Sequence, residues 1–187
     1  MSYQGSLTRI RESTSTDVMN AWHAYGLGRI SKPQFVQLAS ALILQAKGRA
    51  ATVADLAVST ELTRLSGSVQ LPTGALPKVY NQPVLAKGVQ TLLDAAEAGE
   101  DVTERLSRFA LNAPLDAAVD VYGQGVAASQ LVEGWVRQMD GDPCQLCRYW
   151  WREGQVWPKG HKLQHHKGCE CVQRPVLYEK PSRRKPV

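Results

Sequence analysis

Apolar side chains return at three- and four-residue steps through most of residues 15–139, the period that lines one face of an α-helix. The alternation that marks a half-buried strand is almost absent there. Ser15, Thr16 and Asp17 supply a helix start. Val18, Met19, Trp22 and Tyr25 follow, and Gly26 and Gly28 supply the stop. Ser31 opens a second helix with Pro33 in its first turn, where a missing N–H costs nothing. Beyond Pro33 no proline and a single glycine, Gly48, interrupt the chain before Leu65. Phe35, Leu38, Leu42, Ala46, Val53 and Leu56 give this stretch its predicted apolar face. An unbroken helix of that size is roughly 50 Å long. Its other faces carry many alanines and few charges, so the pattern predicts cover on more than one side.

Residues 66–83 break the period. Gly67, Pro72, Gly74, Pro77 and Pro83 predict an irregular loop, either a surface connection or an arm lying on a partner. Helices are expected again over 84–98, stopped by Gly99, and over 102–112, stopped before Pro114. A last helix is expected over 115–139, with Val119, Tyr122, Val126, Leu131, Trp135 and Met139 as its stripe. Gly123 and Gly125 inside it mark a kink or a close helix crossing.

Composition narrows the class. A hydrophobic fraction of 43% over 187 residues suits a globular domain with a small appendage. No run approaches the ~20 apolar residues of a bilayer span, so no membrane is expected. The first 13 residues lack the apolar core of a secretory signal, and synthesis and folding in a cytoplasm are expected. No glycine-rich phosphate loop, nucleophile elbow or paired carboxylates stand out, and His23 is the one histidine before residue 160. The sequence therefore reads as non-enzymatic. Charge matters through its position: residues 1–139 carry twelve basic and twelve acidic side chains, whereas 140–187 carry ten and five. The net charge of +5 thus resides in the last quarter, as a solubilising tail or as a surface for an acidic partner.

All four cysteines lie in that quarter, as Cys144-Gln-Leu-Cys147 and Cys169-Glu-Cys171, with His161, His165 and His166 before the second pair. A two-residue spacing aims both thiolates of a knuckle at one point, and Asp140-Gly141-Asp142-Pro143 supplies a turn before it. Cys169 and Cys171, if extended, project to one side, and His166 is within reach. Five candidates thus compete for the four positions of a structural Zn2+. The preferred set is Cys144, Cys147, His166 and Cys171, with Cys169 in place of His166 as the alternative. Disulfides would suit an exported chain, and a catalytic metal would need an open position and a base, for which Glu170 is the only acidic residue inside the second pair. Three of the five tryptophans, Trp150, Trp151 and Trp157, lie between the pairs. They either form the small core of the module or, with Arg148 and Arg152, offer a stacking surface for bases.

The chain thus divides into a helical domain at 1–139, a Cys/His metal module at 140–174 and a basic extended tail at 175–187. Its fold class is mainly α: one long helix in a helical domain, then a small zinc-knuckle-like module with short β elements. An Asp-rich turn, Cys-x-x-Cys, about twenty residues and His166-Lys167-Gly168-Cys169-Glu170-Cys171 follow a helical region. This pattern resembles the C-terminal signature of the MuF-like minor head proteins of tailed bacteriophages. It departs from the family at Lys167-Gly168 and Glu170, which spares every candidate ligand. The resemblance implies a minor capsid protein of the virion, made in the host cytoplasm and carried inside the capsid. Its implied partners are the portal and/or the major capsid protein, and packaged DNA through the basic C-terminal region.

Overall fold

The computed structural model describes residues 2–78 and 81–179. Four helices form the body: α1 (Tyr3–Gly26), α2 (Lys32–Ser66), α3 (Gln82–Glu97) and α4 (Thr103–Ala128). A three-stranded antiparallel sheet follows, built from β1 (Val132–Gln138), β2 (Trp157–Pro158) and β3 (Val172–Leu177) in the order β2-β1-β3. A short helix, α5 (Gln145–Trp151), lies between β1 and β2. No helix among the described residues is long and apolar enough to cross a membrane.

The long helix is present as predicted, and α1, α3 and α4 all pack on it. Ser31 N–H donates to Gln34 Oε1 at its start, and Gly67 ends it in the left-handed conformation at φ 70°. Its buried face differs from the one predicted. Phe35, Ala39, Ile43, Ala46, Ala50, Ala54, Val58 and Leu62 face inward, while Leu38 and Leu56 are about half exposed. Alanines fill the middle of this face, at 46, 50 and 54, because α1 and α4 approach closely there; larger side chains at those positions would hold them apart. A close crossing lies at Gly125 of α4, where a Cβ would stand 2.6 Å from Val58 Cγ1. Gly125 therefore marks a helix crossing.

Four predicted boundaries are corrected. α1 starts at Tyr3, capped by Ser2 Oγ accepting from Gly5 N–H at 3.1 Å, well before Ser15. Its inner stripe is Leu7, Arg11, Thr14, Val18 and Ala21, and the two polar members break the apolar period. The helices predicted over 102–112 and 115–139 are one helix through Pro114. Leu106, Ala110, Ala113, Ala117, Ala118 and Val121 stay buried across that proline, and their packing offsets its missing N–H. That helix ends at Ala128, and the stretch read as its last turns is β1, the middle strand of the sheet. Gly134 permits this pairing, since a Cβ there would stand 2.3 Å from the Trp157 carbonyl oxygen. Pro175, read as the start of the tail, pairs with Trp135 inside β3. Arg183-Arg184-Lys185 lies outside the described residues.

The irregular loop is held down on its own chain. Buried Asp55 of α2 accepts from Thr73 N–H (2.9 Å), Thr73 Oγ1 (2.9 Å) and Gly74 N–H (2.7 Å). Asp120 of α4 accepts from Lys78 N–H at 2.6 Å. Two apolar clusters form the core. One joins α1 to α4 through Val18, Phe35, Ile43, Leu85, Val89 and Leu106. The other joins α1, α2 and α4 to the sheet through Val58, Leu62, Tyr122, Val132, Trp135 and Leu163. This second cluster fixes the sheet, and with it the cysteines, on the bundle.

Candidate metal centre

Two turns bring the cysteines together. Cys144 precedes the first residue of α5 and Cys147 lies in its opening turn, with Arg148 N–H donating to the Cys144 carbonyl at 3.1 Å. On the other side Cys169 N–H donates to the His166 carbonyl at 3.0 Å, closing a turn at Gly168. Gly168 has φ 84°, a conformation that strongly favours glycine, and its N–H donates to Asn112 Oδ1 of α4 at 2.8 Å.

His166 Nε2 lies 3.1 Å from Cys144 Sγ and 3.2 Å from Cys147 Sγ, and Cys147 Sγ lies 3.5 Å from Cys169 Sγ. The edge of a tetrahedron of thiolates around zinc is about 3.8 Å, so these separations are near those of ligands sharing one ion. A disulfide requires about 2.05 Å, and all four cysteines are free. The donors form two overlapping trios, Cys144–Cys147–His166 and Cys147–Cys169–Cys171, each mutually within 4.8 Å and sharing Cys147. The five residues picked out by their spacing are therefore all at this centre, and the cluster could hold a metal ion. Cys147, Cys169 and Cys171 are buried, and Cys144 is exposed.

The surroundings orient the donors. The Lys167 carbonyl, 2.9 Å from His166 Nδ1, can only accept, so Nδ1 carries the proton and Nε2 turns its lone pair to the sulfurs. Trp150 stacks on the same imidazole at 6.2 Å between ring centres. Burial pushes the Cys147 thiol up to about 12, whereas the backbone N–H of Cys147 holds Cys144 below the ordinary thiol value. The hydrogen bond from Cys171 lowers Cys169, and that same pairing, reinforced by burial, raises Cys171. A metal entering here displaces protons, so its affinity falls with acid.

The remaining histidines lie elsewhere. His161 stacks on Trp157 at 4.5 Å, and His165 Nε2 faces Asp116 Oδ1 of α4 at 2.9 Å. Glu170 pairs with Arg11 of α1 at 2.6 Å. Its carboxylate is thus committed to joining the module to the first helix. Trp150 and Trp157 pack inward, on His166 and on Trp135, whereas Trp151 and Tyr149 are exposed beside Arg148 and Arg152. Sequence reasoning missed Arg11, Asn112 and Arg137, three polar groups that hold the centre in place. Arg137 was hidden in a stretch read as helix, and the partners of Arg11 and Asn112 are remote in sequence. No protein-family model, curated protein or solved structure matches this chain.

Proposed function

We propose that the cluster is a structural zinc centre and that the chain is a non-enzymatic minor capsid protein of the MuF-like kind. In this reading the metal module docks on a portal or major capsid protein inside the virion. The observation that carries the metal reading is the pair of overlapping trios, Cys144–Cys147–His166 and Cys147–Cys169–Cys171, brought together from two turns 22 residues apart. Thiolates and imidazole suit zinc, and cysteine-rich closed sets favour structural over catalytic roles. When bound, the ion supplies folding free energy to a module with little apolar core of its own. A non-enzymatic role agrees with the engagement of Glu170 by Arg11. The capsid assignment rests on the signature from Asp140 to Cys171 and on the exposed Leu146, Tyr149, Trp151 and Val156, an apolar surface on that same module.

Elemental analysis of purified protein tests the first half, with one zinc per chain expected and a marked loss in Cys147→Ala. Stoichiometry well below one discards it. Co-sedimentation with assembled portal rings tests the second, and binding that survives high salt is expected. One observation favours a second reading, direct contact with packaged DNA: Arg148, Tyr149, Trp151 and Arg152 line an open concavity of about 780 Å3. Nucleic-acid affinity that falls steeply with salt, without portal association, would favour it.

A further inference from the structure

β1 carries a buried positive charge close to the cysteines. Arg137 is 2% exposed, and a cation taken out of water is destabilising unless something compensates it. Its Nη2 donates to the Gln164 carbonyl, its guanidinium lies over Trp150 at 5.4 Å, and its Nε is buried without a partner. Among the described residues no carboxylate pairs with it. A carbonyl and an indole face attract a guanidinium without cancelling its charge. Cys169 Sγ lies 3.9 Å from Nη1, the nearest approach of a cysteine donor to the guanidinium among its polar contacts.

We propose that Arg137 is the built-in counter-ion of a metal centre ligated by Cys144, Cys147, His166 and Cys169, with Cys171 outside the set. This rests on the metal reading above and goes further by choosing the ligands. A divalent ion with three thiolates and one neutral imidazole carries one excess negative charge, which Arg137 cancels. Four thiolates leave two excess charges against a single cation. Exchanging Cys169 for Cys171 moves the charge away from the guanidinium and toward Asp140, whose Oδ2 lies 3.8 Å from Cys171 Sγ and would repel a metal-bound sulfur. Of the two cysteines of Cys-Glu-Cys, Cys169 has the guanidinium beside it, whereas Cys171 has the carboxylate and the backbone N–H of Asp140. Trp150 completes the arrangement: one ring supports both the guanidinium and the imidazole of His166. Arg137 is a positioning residue that acts through Cys169.

Cobalt(II) uptake by the full chain tests this, because sulfur-to-cobalt absorption grows with the number of bound thiolates and chelator competition gives the affinity. Wild type and Cys171→Ser are expected to show equal bands, and Cys169→Ser a band reduced by one sulfur. Arg137→Met is expected to bind cobalt roughly 10- to 100-fold more weakly, and Arg137→Lys to recover most of the loss. A band lost in Cys171→Ser and kept in Cys169→Ser overturns the ligand set. Equal affinity in Arg137→Met and wild type, or equal losses in the Met and Lys variants, overturns the counter-ion. Should Arg137→Met fail to fold, the two serine variants decide the ligand set and Arg137→Lys decides the counter-ion, near-wild-type affinity supporting it and a loss of roughly 10-fold or more overturning it. Wild-type protein that takes up no cobalt overturns the metal reading itself, a result obtained before any substitution is made.

Discussion

His165 and His166 are adjacent in sequence and serve different contacts. His166 faces two sulfurs, and His165 faces Asp116, whose hydrogen bond holds the imidazole above its ordinary pKa against the opposing effect of burial. A raised folded value means that the pair contributes fully below the unfolded histidine value of about 6.5. The contribution is lost as pH rises through the folded value. Asp116 is 58% exposed at its side chain, so solvent screening keeps the effect below about 1 kcal/mol. Asp116→Asn is therefore expected to lower the urea midpoint at mildly acid pH and to leave it unchanged at alkaline pH. Paired titrations at both pH values check this, and a pH-independent difference would remove the ion pair from the account. At this scale the five donors were legible because cysteine and histidine in tight spacing have few other uses in a reduced chain. Their outer partners were not, because Arg11 and Glu170 are 159 positions apart and nothing local links them.

Between elements, the governing feature is the crossing of α2 and α4. Gly125 lies against Val58 so closely that an added methyl must displace that side chain or the helix. Gly125→Ala is expected to cost about 1–3 kcal/mol despite the better helix propensity of alanine. Adding Val58→Ala should recover part of that loss relative to Val58→Ala alone. A double-mutant cycle by thermal or urea unfolding measures the coupling, and strict additivity would mean that the crossing relaxes without strain. Helix existence was readable from period alone, because α2 and α3 lie close to where their caps and apolar steps put them. The errors have a common origin. Arg11 and Thr14 occupy inward positions of α1, so its first half lacked an apolar stripe, and β1 carries Val132, Trp135 and Val136 at spacings that also fit a helix. Short apolar runs of this kind are ambiguous by period.

Across the whole molecule the cysteine module is tied to the bundle by Leu163 in the second apolar cluster and by polar contacts: Arg11 to Glu170, Gly168 to Asn112, and Gln4 Nε2 to the Glu170 carbonyl at 3.2 Å. The core cluster around Phe35, Ile43, Val89 and Leu106 contains no residue of the sheet or the module. If the centre is loaded as proposed, a chelator is therefore expected to loosen residues 139–171 while the helices persist. Far-UV circular dichroism should stay close to that of the loaded protein. Limited proteolysis should gain cleavage sites around α5 and the Cys169–Cys171 turn, and the near-UV tryptophan signal should change. Collapse of the helical signal on chelation would show instead that the bundle and the module fold as one cooperative unit.

The sequence by itself determined that the chain is mainly helical, that one helix is very long, and that Cys144, Cys147, His166, Cys169 and Cys171 form one candidate centre. Such properties follow from spacing within a few turns or from the chemistry of a residue type. Tertiary structure decided the rest: that α4 runs through Pro114, that β1 is a strand, that alanines fill the middle of the α2 core face while Leu38 and Leu56 stay outside, and that Arg137 lies against Cys169. Each depends on which distant segment arrives to bury or pair a group. Burial free energy between remote segments outweighs local propensity, and a single sequence read by pattern does not contain those pairings explicitly.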